Sequence, residues 1–397
     1  MKIAVVSKTF GFRGGIERYA FDLARSLRTC GHEVTLVYGE EKGRDADDYA
    51  GGFSDVVPFR RAPERNFDVV YVQNSWDPDD LQPFGRTPIV FAAHDHDHTC
   101  VRRHRYLPFV NTPCHAAPGA GCVVRGCCVT RDRGATIPVA LRSPFALQKR
   151  LARLSERGSF VACSSYVAER LVEGGAPRDR VTFVHPIPPE DDVPLAPLPA
   201  SSNIAIVAQL IRGKGVDIAI EALKWLPSDV TLTVAGQGPS HDELVALGNR
   251  VANGRVRMLG YVRPDDVRKV YDEARAVVVP SRWPEPFGLI GVEAMRRARP
   301  VVAAAHGGIV EWLPEGRGGK TFEPGDPRAL AAAIRDVLRD EGAGVAARAH
   351  ALARFRHQDA LKKLESVLVA AASVQSTSFG RRAVPSEKAS PATIQSR

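Results

Sequence analysis

The sequence has no apolar run of about 18 residues, the length a membrane-spanning helix needs, so no such helix is expected. It also lacks the order of a cleavable leader. Met1-Lys-Ile-Ala-Val-Val-Ser7 is too short for one and reads as a buried first strand, which implies an intracellular, cytoplasmic protein. Nothing in the composition, 44% hydrophobic and 25% charged, marks a disordered or fibrous chain. At 397 residues the chain exceeds one ordinary core and fits two domains.

Acidic residues are nearly missing from one stretch. Between Arg102 and Arg157, eleven Lys/Arg stand against two Asp/Glu, a surplus of nine that equals the net charge of the whole chain. A solvated face is one reading. Attraction to an anionic partner (a membrane surface, a lipid phosphate or a nucleic acid) is the other, and charge alone does not name the partner.

Short, mostly apolar strand-like runs alternate with helical patterns. Lys2 to Ser7, Val34 to Tyr38, Val69 to Val72, Ile89 to Ala93, Phe160 to Cys163 and Val181 to Val184 form a first series. Asn203 to Ala208, Val230 to Ala235, Val256 to Leu259, Ala276 to Val279 and Pro300 to Ala304 form a second. Such runs predict parallel sheets covered on both faces. Between the series, Pro186 to Pro199 carries six prolines in fourteen residues, a stiff linker. The expected fold is α/β, with two Rossmann-like doubly wound domains facing one cleft. The first spans 1–185 with a Cys/Arg-rich insertion at about 95–157, and the linker spans 186–200. The second spans 201–375, and 376–397 is a disordered tail.

In open parallel sheets ligands sit off the carboxyl ends of the strands. Pro280-Ser-Arg-Trp-Pro-Glu-Pro-Phe-Gly-Leu-Ile-Gly-Val-Glu-Ala-Met295 follows the buried run Val277 to Val279 at such a place. Pro286 suits a first helical turn, which puts Glu285 just before a helix and Glu293 about two turns inside it. The N–H groups of Phe287, Gly288 and Leu289 would then favour an anion. A plain helix-start acid explains Glu285 equally well. It does not explain Glu293, whose carboxylate in an apolar run needs hydrogen-bond donors; sugar hydroxyls are such donors.

With its Phe-Gly and the seven residues between the glutamates, this segment resembles the signature of the retaining family 4 glycosyltransferases of the GT-B fold, and the resemblance runs from about residue 2 to about residue 372. Gly14-Gly-Ile-Glu-Arg-Tyr resembles the family's first loop and helix, where Gly14 and Gly15 let the backbone approach a phosphate or sugar. Alone, two glycines are equally an ordinary turn. Gln209-Leu-Ile-Arg-Gly-Lys-Gly resembles the segment whose basic pair grips the donor diphosphate. Lys214 matches; Gln209 stands where the family has arginine, with Arg212 as its substitute. Ala235-Gly-Gln-Gly-Pro and Ala305-His-Gly-Gly-Ile-Val-Glu resemble two further turns. Arg299 replaces a glycine before Pro300, a change for which no chemical consequence is expected.

The resemblance implies transfer of a sugar from a nucleotide-diphosphate sugar to a sugar or lipid-linked acceptor with retention of configuration. It implies no required cofactor and no metal in the cleft. Lys214, Arg212 and the amides at Gly288 and Leu289 would meet the leaving charge. Glu293 would bind the ribose, Glu285 would position the transferred sugar, and His94 would contact that sugar. The basic insertion suggests polysaccharide or glycolipid synthesis at the anionic inner membrane face, with no nucleic acid partner.

His94-Asp-His-Asp-His-Thr-Cys100 tempts a metal reading, with Cys114, Cys122, Cys127 and Cys128 behind it. The spacing is not a clean zinc ribbon. Structural zinc, disulfides and free thiols all stay open, with zinc favoured over disulfides in a reducing compartment. The rival functions are a non-catalytic, zinc-stapled binding protein on a degenerate transferase body and a GT-B-type sugar-nucleotide epimerase.

Overall fold

The computed structural model describes residues 1–379 apart from 74–75, 108–109, 111, 132–138, 189–194, 314–315 and 317. The middle of the linker and the chain beyond 379 therefore lie outside the described residues.

The first series of runs gives β1 (Lys2–Phe10), β2 (Glu33–Lys42), β3 (Asp55–Pro58), β4 (Val69–Val72) and β5 (Ile89–Ala93). A small hairpin, β6 (Val129–Arg131) and β7 (Val139–Leu141), interrupts it before β8 (Gly158–Ala162) and β9 (Val181–Phe183). The seven-stranded sheet is ordered β3-β2-β1-β4-β5-β8-β9 and every pair in it is parallel. The second series gives β10 (Asn203–Val207), β11 (Thr231–Ala235), β12 (Val256–Gly260), β13 (Ala276–Val279), β14 (Val301–Ala304) and β15 (Gly319–Phe322). These pair in parallel as β12-β11-β10-β13-β14-β15. Strands β4, β5, β13 and β14 are buried along their whole length, which is why they read as unbroken apolar runs. The edge strands β3 and β15 escaped sequence reading because each is four residues bounded by Pro or Gly and offers no such run.

In each sheet the strand order reverses beside the first strand, between β1 and β4 and between β10 and β13. The loops leaving those four strands therefore flank two topological switch points, where open α/β sheets bind ligands. These loops carry Gly14, Gln73, Lys214 and Glu285.

The domain boundaries need one correction. The last helix, His357–Phe379, was assigned to the second domain as far as 375, yet Leu361, Leu364 and Leu368 are buried in the first-domain cluster with Ile3, Val5 and Leu23. Spacings of three and four put these leucines on one helical face, and His32 holds Glu365 at 2.8 Å. The helix also runs past the tail boundary expected at 376. Arg299 needs a second correction. It is fully buried, and its guanidinium donates to the carbonyls of Tyr271, Asp272, Ala196 and Pro197. The residue expected to do nothing tethers the end of the linker to the second domain.

Candidate active site

Lys214 sits in a one-turn 3-10 segment, Arg212–Lys214, between Gly213 and Gly215. Both glycines are required by what lies against them. A Cβ on Gly213 would enter the Trp283 ring at 2.3 Å, and one on Gly215, at φ +67, would meet the Pro280 carbonyl oxygen at 1.9 Å. The turn is thus pressed onto the loop after β13. Arg282 fastens the two with a paired ion bridge to Asp217 at 2.5 and 2.7 Å.

Inside this knot Lys214 Nζ donates to Glu285 Oε1 at 2.7 Å. Trp283 Nε1 donates to the same oxygen at 3.3 Å, and the Ser281 hydroxyl donates to it as well. Glu285 is 5% exposed. Burial alone would raise its pKa, but the charge of Lys214 and the three donors outweigh it and hold the carboxyl below its ordinary value. Glu285 is therefore an anion that orients and accepts, and it carries no proton to give. Gly307 and Gly308 support the loop from behind: the Gly308 N–H donates to the Glu285 carbonyl at 2.7 Å.

The helix after Glu285 starts later than expected. It spans Leu289–Arg296, and Gly288 at φ +86 breaks the chain before it, so Pro286 lies outside the first turn. Contact with Gly307 and Gly308 bends the segment away from helical geometry. The side chain of Phe287 turns into the core. It is 3% exposed and stacks on His185, and the Phe287 carbonyl accepts from Trp312 Nε1. Glu293, half-buried on the helix, accepts from the Tyr271 hydroxyl at 2.8 Å. Burial raises its carboxyl pKa, while Tyr271 and the first-domain residue Arg18 work against the rise.

The first domain meets this surface with the helix Gly15–Thr29, whose Glu17 carboxylate accepts from the Gly14 N–H at 2.9 Å. A Cβ on Gly14 would stand 3.4 Å from Gln209 Nε2, so the glycine loop and the turn after β10 face each other across the cleft. Gly15 has nothing within 4 Å of such a Cβ and opens to the cleft. Arg18 spans the gap to Asp265 at 3.2 Å. His94, at the end of β5, packs edge-on against Tyr19 and bonds Gln73 Oε1 at 2.7 Å through Nε2. Burial lowers its pKa to about 4, so the ring is neutral at physiological pH. Arg212 is exposed beside Lys214, on the side where Tyr106 of the insertion lies.

The structure thus brings Gly14, Gly15, Gln209, Lys214 and Glu285 to the two switch points, with His94 and Glu293 on flanking walls. Sequence reading missed the groups that orient them: Gln73, Tyr271, Ser281 and Trp283. Only Trp283 and Ser281 carried a signal, since both fall inside the glutamate segment. Of the cysteines, Cys100, Cys114, Cys122 and Cys127 line one cavity and Cys128 stands outside its lining; all are free thiols.

Two parallel-sheet domains apposed through the carboxyl ends of their strands, with a glycine turn at one switch point and a glycine-lysine turn at the other, define the two-Rossmann architecture of GT-B glycosyltransferases. Residues 13–187 match the family described as Glycosyltransferase Family 4, and residues 198–354 match Glycosyl transferases group 1. The chain belongs to these family 4-type glycosyltransferases. It is 26% identical over 371 residues to a glycogen synthase of Mycobacterium tuberculosis, covering 83% of this chain and 84% of that protein. It is 34% identical over 222 residues to a D-inositol 3-phosphate glycosyltransferase of Xylanimonas cellulosilytica, covering 49% and 52%. The crystal structure of Anabaena Alr3699/HepE in complex with UDP-glucose superposes with a TM-score of 0.71 at 20% identity, covering 93% of this chain and all of that one. Sucrose-phosphate synthase from Thermosynechococcus elongatus gives 0.68 at 17% identity, covering 96% and 99%.

Proposed function

We propose that this glycosyltransferase transfers a sugar from a nucleotide-diphosphate donor to an acceptor hydroxyl with retention of configuration and without a divalent metal. The observation that carries the reading is the Lys214–Glu285 pair at the switch point between β10 and β13. A donor diphosphate laid along the turn after β10 puts its charge beside Lys214 and Arg212, with the amides that open the helix Leu289–Arg296 on the other side. As the glycosidic bond breaks, negative charge gathers on the diphosphate, and these fixed groups lower the barrier by meeting it. Glu285 accepts hydrogen bonds from the transferred sugar and Glu293 from the ribose. An ionised Glu285 fits a positioning role and front-face attack assisted by the leaving phosphate. The Anabaena protein's complex with UDP-glucose supports a nucleotide-sugar donor.

The acceptor in this reading is lipid-linked or presented at an anionic membrane surface, in cell-envelope polysaccharide or glycolipid synthesis. Its support is the insertion, which exposes Val124 at 87% and Leu141 at 82%, with Phe145, Arg125, Arg142 and Lys149 also exposed. Apolar and cationic side chains on one segment suit the interface of an anionic bilayer.

The test is thermal stabilisation by a panel of nucleotides and nucleotide sugars, on the parent and on Glu293→Ala. A ligand at 100 times its Kd stabilises by about 2.7 kcal/mol. One nucleotide series should shift the parent and lose most of its effect on the variant; no shift at millimolar ligand would sink the reading. Product anomer by NMR and turnover in chelator test retention and metal independence.

A further inference from the structure

Among its described residues the insertion has almost no apolar core of its own. Val101, Cys127 and Leu147 are its buried cluster, with Leu107 and Cys122 packed alongside. A segment of this size with so few buried side chains ordinarily needs a covalent or metal staple. Its buried polar centre is Arg105, 2% exposed, whose guanidinium gathers the carbonyls of Cys114 at 3.1 Å, Thr99 at 3.4 Å and Ala116 at 2.8 Å.

Around that centre four thiols from three chain segments line one cavity. Cys100 comes from the turn after the histidines, and the Cys114 N–H donates to the Arg105 carbonyl at 2.7 Å. Cys122 lies in the short helix Ala120–Val124, and the Cys127 N–H returns to the Cys122 carbonyl at 2.9 Å. All four line a cavity of about 20 Å³, room for one small atom. No carboxylate or imidazole lines it, while the guanidinium-bearing Arg102 and Arg105 do.

We propose that Cys100, Cys114, Cys122 and Cys127 bind one zinc ion that staples the insertion. An all-sulfur set selects a soft or borderline cation, and four thiolates in tetrahedral array are a closed structural zinc site. Binding releases four protons, one from each thiol, and leaves a complex of charge −2. Arg102 and Arg105 beside the cavity offset that charge. As the side chains stand, the thiols line the wall without converging: among the described residues no three His, Cys, Asp or Glu side chains form a metal-binding group. Capture therefore requires the four cysteine side chains to move toward one another.

The staple would also reach the catalytic loop. The run of turns from His96 to Arg105 presents His96, whose Nε2 meets the Pro284 carbonyl at 2.9 Å. It presents His104, which stacks on Trp283 at 5.6 Å. Trp283 in turn bonds Glu285. Fixing Cys100 and Cys114 fixes the segment that buttresses the glutamate loop.

The experiment is metal analysis of the full-length protein purified without chelator. The expected content is close to one zinc per chain. It should fall at least fivefold in Cys114→Ser and in Cys122→Ser, and stay unchanged in Cys30→Ser, an exposed cysteine outside the cluster. Because the cluster variants can fail to fold, two measurements use the parent alone. Mercurial titration should release the zinc as four thiols react, and cobalt substitution should give the intense visible bands of a tetrahedral tetrathiolate. Substoichiometric zinc after growth and refolding in zinc, cobalt bands lacking thiolate character, or peptide masses two hydrogens lighter per cysteine pair would overturn the proposal.

Discussion

Lys214 and Glu285, 71 positions apart, meet at 2.7 Å with unequal burial, their side chains 25% and 6% exposed. The inequality sets the outcome of breaking the pair. Lys214→Met leaves a buried carboxylate without its cation, a loss of about 3 kcal/mol, whereas Glu285→Gln leaves a lysine that can turn to water. Chemical denaturation should rank Lys214→Met as the more destabilised. Both should lose about 10²- to 10³-fold in kcat, the scale of losing one group aimed at developing charge. Equal stability of the two variants would contradict this account of the pair.

Gly307, at φ +64, is where the loop behind Glu285 has no room. A Cβ there would lie 2.3 Å from the Glu285 carbonyl oxygen. Gly307→Ala should destabilise by about 1–3 kcal/mol from backbone strain and displace Glu285. The expected signature is a drop in Tm together with a larger drop in kcat than in nucleotide affinity.

Glu311 belongs to the second domain but caps a helix of the first. Its carboxylate accepts from the Ser165 N–H at 3.2 Å, the Ser165 hydroxyl at 2.9 Å, the Tyr166 N–H at 2.9 Å and His185 Nε2 at 3.1 Å. Glu311→Ala removes these bonds at the start of the helix Ser165–Glu173. A loss of about 3 kcal/mol is expected, with a larger radius of gyration in solution scattering as the domains separate. An unchanged radius would limit Glu311 to a local cap.

Acid should weaken the fold through its buried histidines. Burial lowers the His94 and His96 pKa values from 6.5 to about 4. The unfolded chain therefore binds more protons than the folded one between those values, and stability falls as pH drops through that window. For His96 the facing groups are Arg105 and His104, which work with burial, and the Pro284 carbonyl and Glu285, which oppose it. Glu293, raised by burial, and Asp95, pushed up to about 7 by burial and the neighbouring Asp97, act in the opposite sense, losing their contributions as pH rises. Tm measured from pH 7 to 4 should decline, and His96→Gln should flatten the slope.

The membrane reading makes a separate demand. Leu141→Glu combined with Phe145→Glu should abolish cosedimentation with anionic vesicles, and the parent should bind less as salt rises. Neither change should alter nucleotide stabilisation, because both residues lie in the insertion, outside the donor site.

The sequence by itself determined the two parallel sheets, since fully buried strands such as Val69–Val72 and Ala276–Val279 are continuous apolar runs that few other structures produce. It also put Glu285 in the loop after a buried strand and Glu293 on the helix behind it, because prolines and lone carboxylates in apolar context mark such places locally, whereas Lys214 was singled out only by the family resemblance. Only the tertiary structure decided their partners. Nothing near Glu285 in sequence announces Lys214, and nothing near His94 announces Gln73. The final helix shows the same limit. Which domain it covers depends on where the chain runs after the second domain, a matter of packing between distant segments. Arg299 looked idle because a buried arginine is explained only by the carbonyls around it, and those come from the linker and from a helix end more than twenty residues away.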